Sequence, residues 1–225
     1  NAITIVKNKL DLMAIKNLDN KKIAYVKFGD ASNDAFVKGL KNYANVTVVD
    51  ANDINTLKVK LKEFNLVIIG HHKSNESPWK GYKFSTTELN WLQEIAAERT
   101  SNLILCVFAK PYALSDIKSF QNIDAVVMSY QNSDLAQEKT AEVLFGAVGA
   151  SGKLPVSAHS DFPVNSGIKT QSLSRLGYSI PERVGMSSKG LGDIDRMVND
   201  GLDSLMFPGA QILVARKGKI IYQKS

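Results

Sequence analysis

The side chains best suited to chemistry in this 225-residue chain gather in one stretch, Gly70-His71-His72-Lys73-Ser74-Asn75-Glu76-Ser77-Pro78-Trp79-Lys80. An exposed indole offers a flat apolar face to a sugar ring, and an imidazole can donate or accept a hydrogen bond. His72, Lys73 and Trp79 are therefore the residues expected to touch a glycan or a neighbouring domain. The same stretch also reads as a solvated or interdomain loop. Adjacent histidines on a strand point to opposite faces and make a poor metal pair, and His159 is the only other histidine, so no metal site is expected.

Serine followed three residues later by lysine can form an activated nucleophile, because one helical turn brings the amine beside the hydroxyl. Ser77/Lys80, Ser115/Lys118 and Ser166/Lys169 have this spacing. About two such pairs arise by chance in a chain so rich in both residues, Pro78 interrupts the first, and the third contains Gly167 in a linker. Cys106 sits in the apolar run Leu103–Phe108 and is expected as a small core residue. Phe28-Gly29-Asp30-Ala31-Ser32 has one glycine where a dinucleotide cradle needs three, so no nucleotide or other cofactor is expected. No catalytic residue is assigned within the chain.

The elements that must position these residues follow from periodicity. Short runs rich in valine and isoleucine alternate with helical patterns, the form of a mostly parallel sheet covered on both faces. Strands are expected at 23–28, 46–49, 66–70, 103–108 and 125–129, and helices at 34–43, 54–64, 86–98, 113–120 and 133–147. Ser85 and Glu88 stand at capping-box spacing, with Phe84 and Leu89 placed to form a hydrophobic staple. The fold class is thus α/β, a three-layer α/β/α domain over 1–161. His71 and His72 fall at the carboxyl end of a parallel strand, where open α/β sheets bind ligands.

After Asp161 the apolar periodicity fades, and 162–186 reads as a linker. Leu191, Ile194, Val198, Leu202 and Leu205 then mark an amphipathic helix capped by Ser187 or Ser188. Two β runs, 211–215 and 219–222, turn at Lys217-Gly218. These make a C-terminal helix and β-hairpin from a second domain, 187–225.

The formal charge of +6 comes from lysines spread along the chain, without the arginine clusters and interleaved aromatics of a nucleic-acid groove. No nucleic-acid partner is expected. No run approaches the roughly twenty apolar residues of a membrane span, and no signal peptide opens the chain.

The phrase Ala141-Glu142-Val143-Leu144-Phe145-Gly146, followed by Ser151-Gly152-Lys153-Leu154-Pro155-Val156, resembles the closing motif of the C-terminal α/β domain of glycoside hydrolase family three. Ile3-Thr4-Ile5-Val6-Lys7-Asn8, Lys22-Ile23-Ala24 and Pro111-Tyr112-Ala113-Leu114 match other phrases of that domain in order. Lys110 departs from the family's asparagine. The resemblance implies a partner TIM barrel that carries the catalytic aspartate. In the β-glucosidase branch it also implies a general-acid glutamate from the C-terminal domain, whereas the N-acetylhexosaminidase branch uses a barrel histidine.

The stretch Pro208-Gly209-Ala210-Gln211 through Tyr222 is similar to the opening of β-lactamase-like serine hydrolases. That joint implies the hexosaminidase branch, a downstream serine hydrolase domain, glycans of the peptidoglycan type, and a periplasmic or cell-envelope location. The alternatives are a carbohydrate-binding or interdomain module of a β-glucosidase-type enzyme and a flavodoxin-like cofactor domain.

Overall fold

The computed structural model describes residues 2–76 and 81–225. The chain forms two compact units, Asn1–Ser174 and Arg175–Ser225.

The first unit is built on six strands: β1 (Thr4–Asn8), β2 (Ile23–Gly29), β3 (Val46–Val49), β4 (Leu66–His72), β5 (Asn102–Phe108) and β6 (Ala125–Met128). Their order is β1-β6-β5-β4-β2-β3. Every neighbouring pair is parallel except β1 with β6, which is antiparallel. The central strands β4 and β5 are buried on both faces, which is why they read as unbroken apolar runs.

Alternation along each strand divides the core in two. Leu66 and Ile68 of β4 join Tyr25, Ile104, Cys106 and Phe108 on one face, covered by α1 (Asp34–Lys41) and α4 (Asp134–Leu144) through Phe36, Leu40, Ala141 and Leu144. Val67 and Ile69 join Val26, Leu105 and Val107 on the other, covered by α2 (Ile54–Leu61) and α3 (Thr86–Glu98) through Leu57, Leu61, Leu92 and Ile95. The expected three layers are present.

Helix starts follow their local signals. Ser85 accepts from the Glu88 N–H while Glu88 accepts from the Ser85 N–H, and Phe84 and Leu89 lie in one apolar cluster. Asp53 caps α2 and Ser133 caps α4 through side-chain oxygens. Gly146, at φ +73°, turns the chain after α4.

Three expectations change. The helix expected at 113–120 is a 3-10 helix over Pro111–Asp116 that ends where Ile117 turns extended. Within it the Ser115 hydroxyl donates to the Tyr112 carbonyl, an alternative to continued helix. Its apolar residues Ala113, Leu114, Ile117 and Phe120 are still buried, so the periodic pattern was satisfied by a tighter turn plus an extended segment. Strand β1 was not expected from periodicity, being a five-residue antiparallel edge.

The span read as a linker is the third. Its first half is laid onto the first unit: Leu154 N–H donates to Ser166 O, Ile168 N–H to Ile5 O and Leu173 N–H to Gly146 O, at 2.8, 2.8 and 2.7 Å. Hydrogen bonds to the backbone, not periodic apolar burial, hold this segment. Gly152 crosses the entry to β1 so closely that a Cβ there would meet Ala2 O and Thr4 Oγ1 at 2.4 Å, which accounts for the glycine in the Ser151–Val156 phrase.

The second unit contains β7 (Gly177–Tyr178), a 3-10 turn over Pro181–Val184, α5 (Ser188–Asp203), β8 (Ile212–Arg216) and β9 (Lys219–Lys224). Ser187 caps α5. Its sheet has the order β7-β9-β8. The β8–β9 hairpin turns through Lys217 at φ +51° and Gly218 at φ +71°, the backbone of a tight primed turn. Val184, Leu191 and Ile221 form its small core.

At the amino-terminal edge of the large sheet, Arg99 grips Asp124 with two bonds of 2.7 and 2.9 Å, and Asp124 also accepts from the Leu103 N–H at 3.0 Å. The Asp124 side chain is only 3% exposed. Removing the guanidinium leaves a nearly buried carboxylate without its counter-charge. The Arg99→Ala variant is expected to lose about 3 kcal/mol of unfolding free energy, read from urea denaturation; a loss near zero would contradict this role.

Candidate functional site

The carboxyl edge of the large sheet collects the polar side chains that the sequence places after β2, β4 and β6. Strand alternation sends His71 and His72 to opposite faces, and both side chains are fully buried.

His72 lies on the α1/α4 face, stacked on Phe108 with ring centroids 4.3 Å apart. Its Nδ1 is 2.7 Å from Asn132 Oδ1 and its Nε2 is 2.8 Å from the Tyr25 hydroxyl. The partners fix the proton: Asn132 Nδ2 donates to Ser32 O, so its Oδ1 must accept, and His72 donates from Nδ1. Nε2 then accepts from Tyr25 O–H, and the Tyr25 oxygen accepts from Asn33 Nδ2 at 3.1 Å. Gln137 closes the network, donating to Ser32 O and Asn132 O and accepting from the Phe36 N–H. One buried imidazole therefore ties together the segments that follow β2, β4 and β6. A Cβ on Gly70 would lie 2.5 Å from His72 Nε2 and 2.8 Å from the Tyr25 oxygen, so this strand position has to be glycine.

On the α2/α3 face, His71 stacks on Phe84 at 3.6 Å and donates from Nε2 to Tyr82 O at 3.1 Å. Its Nδ1 has no hydrogen-bond partner among the described residues. Glu88 accepts from the Gly29 and Ser85 N–H groups, joining the start of α3 to the end of β2. Those bonds hold its carboxyl below the ordinary range against the opposing cost of burial, the largest influence on it. Lys73 pairs with Asp30 at 3.4 Å. Asn75, in the amide orientation that satisfies both its atoms, accepts from the Asn132 N–H at 2.9 Å.

Of the two described residues expected to make contacts, Lys73 keeps part of its side chain exposed, 15%, beside Asp30. The His72 ring is enclosed by Phe108 and Phe36, and both of its nitrogens are used internally, so it organises the edge. Trp79 lies outside the described residues, as do Ser77 and Lys80. Ser115 gives its hydroxyl proton to Tyr112 O. Cys106 is fully buried, and burial pushes its thiol pKa up, away from thiolate chemistry. Among the described residues no three His, Cys, Asp or Glu side chains converge on a metal position, and no helix is long and apolar enough to cross a membrane. Sequence reasoning missed Tyr25, Asn33 and Gln137. The available signals were a tyrosine between the aliphatic residues Ala24 and Val26 of β2 and a glutamine on the apolar stripe of α4.

Residues 7–185 match the model of the glycosyl hydrolase family 3 C-terminal domain. The chain belongs to that family. Membership favours the glycoside hydrolase reading over the flavodoxin-like one. No curated protein matches the chain.

Solved structures share its fold. A β-glucosidase from Listeria innocua in complex with isofagomine is 20% identical over 69% of this chain and 25% of its own, with a TM-score of 0.57. A fungal multi-domain family 3 β-N-acetylglucosaminidase is 20% identical over 74% of this chain and 18% of its own, at 0.54. A family 3 exo-β-xylosidase bound to a xylobiose aziridine probe is 12% identical over 69% and 24%, at 0.55. The chain thus spans a quarter or less of each of these structures.

Burial pushes the His72 pKa down to about 3 and that of His71 down to about 4, from 6.5. Between those values the unfolded chain binds protons that the folded protein does not. The stability these rings contribute is therefore complete above about pH 6.5 and falls on acidification, by up to about 1.4 kcal/mol per pH unit for each ring. Glu88 adds its own loss only below its ordinary value of 4.5. Denaturation at pH 7 and pH 5 should show the decline, and His72→Gln should reduce its slope by roughly half. Equal stability at the two pH values would contradict the enclosure of both rings.

Proposed function

We propose that this chain is an interdomain module of a β-glucosidase-type family 3 glycoside hydrolase, a non-catalytic layer that presents its carboxyl sheet edge to a catalytic barrel on the same polypeptide. The observation that carries this reading is the Tyr25–His72–Asn132 network. It spends the polar groups most suited to catalysis on holding three segments in register, the requirement of a docking face and not of a reaction centre. Glu88 supports it, since its carboxylate oxygens are engaged with backbone N–H groups and are not directed at a substrate.

Lys73, beside Asp30, is the side chain we assign to contact with the barrel or with a glycan held between the two domains. Trp79 joins it on the sequence argument alone.

The helix and hairpin of the second unit favour a second reading. Their likeness to the start of a serine hydrolase domain would make the parent a β-N-acetylhexosaminidase that removes terminal β-linked N-acetylglucosamine from peptidoglycan-type glycans, in the periplasm or cell envelope. A downstream serine hydrolase domain would follow.

The purified chain should release no nitrophenol from glucoside, xyloside or N-acetylglucosaminide chromogens, and turnover of any of them would sink the non-catalytic assignment. Calorimetry separates the two parents. Saturable heat with gluco-oligosaccharides agrees with the first reading, and saturable heat with chitin oligomers or muropeptides alone agrees with the second.

A further inference from the structure

The edge of the large sheet opposite the histidines holds a hollow of about 580 Å³, framed by the end of α3 and by the turns that lead into β2, β4, β5 and β6. That is the size of a small-molecule site. Its polar lining is fixed from behind. Asn65 accepts the Lys22 N–H at Oδ1 and gives one amide hydrogen to Asn20 O, at 3.0 and 2.8 Å. Asn102 spends one amide hydrogen on Asp124 at 3.3 Å. Arg99 gives two N–H groups to Asp124 and one to Ser101 O, so its charge is already neutralised by the carboxylate behind it.

What these groups keep for a ligand is a mixture of donors and acceptors. The donors are the second amide hydrogen of Asn65, the remaining guanidinium N–H groups of Arg99 and the Lys21 amine. The acceptors are Asn102 Oδ1 and the carbonyls of Ala96 and Ala97, which line the hollow at the last turn of α3. Their helical donors would be the N–H groups of Thr100 and Ser101, but the backbone turns extended at Arg99, with ψ 139°, and ends the ladder. The hydroxyls of Thr100 and Ser101 do either. A sulfate or carboxylate only accepts and would meet carbonyl oxygens at the negative end of a helix, whereas a cation would meet Lys21 and Arg99. A ring carrying several hydroxyl groups both donates and accepts, and it alone of these satisfies the whole set.

We propose that this hollow binds a neutral pyranose unit of a glycan. It is a non-catalytic sugar contact at the amino-terminal sheet edge, separate from Lys73 and Asp30 at the carboxyl edge and independent of the docking role proposed above. It would hold a polysaccharide to the protein without placing it at a reaction centre.

Nuclear magnetic resonance of the isotopically labelled full chain, titrated with cellobiose and with N,N′-diacetylchitobiose, tests this. The amide signals of Thr100, Ser101 and Asn122 should shift saturably with at least one of the two sugars, half-saturating in the millimolar range, and inorganic sulfate should produce no such curve. Signals of Asp30 and Lys73 report the opposite edge, so binding there is told apart from binding here. Ala97→Trp, at an exposed helix position, fills the hollow with an indole and should weaken binding by about tenfold or more. Thr100→Val removes only a hydroxyl and should weaken it by about threefold or more. Circular dichroism verifies that each variant keeps its fold. The absence of a saturable shift at Thr100, Ser101 and Asn122 with both sugars, an equal response to sulfate, or full binding by the Ala97→Trp chain would each overturn the proposal.

Discussion

The imidazole of His72 sits at the tip of the central strand with no access to water, and each of its nitrogens must be satisfied by protein. A buried polar atom left unmet costs about 1–3 kcal/mol. That requirement reaches outward from one ring. Tyr25 must hold its hydroxyl beside Nε2, Asn132 must turn its oxygen to Nδ1, and Gln137 must complete the set from α4. Segments that strand pairing alone would leave free are thereby fixed relative to one another. The absence of a side chain at Gly70 gives the ring and the phenol room to meet.

The opposite face reaches the same end with different chemistry. The capping box of α3 would exist in an isolated helix, yet its glutamate also takes the Gly29 N–H, so a local signal for a helix start becomes a tie between α3 and β2. His71 contributes by stacking on Phe84 and by one bond to Tyr82 O. The two sides differ in completeness: both nitrogens of His72 are satisfied, whereas His71 Nδ1 has no hydrogen-bond partner among the described residues. At the amino-terminal edge the tie is an ion pair, where Arg99 and Asp124 clip the end of α3 to the approach to β6.

Much of this was legible in the residues. Val- and Ile-rich runs located β2 to β6, the Ser85/Glu88 spacing located the start of α3, and Lys217-Gly218 located the hairpin, because each depends on neighbours in sequence. Strand β1 escaped because an edge of five residues has its meaning only beside β6. The segment around Ile168 escaped because its order comes from backbone hydrogen bonds to Ile5 and leaves no apolar period. The sequence marks His72 as a notable residue without showing its enclosure. Its type announces a polar group, but its burial is set by Phe108, Phe36 and Tyr25, which stand far away in the chain. Composition cannot report that enclosure. The alternation that sends adjacent histidines to opposite faces could be read, and it is the reason that one stacks on Phe84 and the other on Phe108.

The two units differ in how they meet the demand for burial. The first spreads its apolar residues over two large clusters, so it can afford a polar network at its edge. The second has one small cluster and draws order from side-chain bonds at its surface. Asp195 receives the Tyr222 hydroxyl and the Lys224 amine at 2.7 and 2.6 Å, and Glu182 takes both the N–H and the hydroxyl of Ser188. Exposed pairs of this kind are individually weak. Their value here is geometric, since Asp195 holds α5 against β9 and Glu182 holds the 3-10 turn against the start of α5. With so small an apolar cluster, each such tie carries a larger share of the order of this unit than the same bond would in the first.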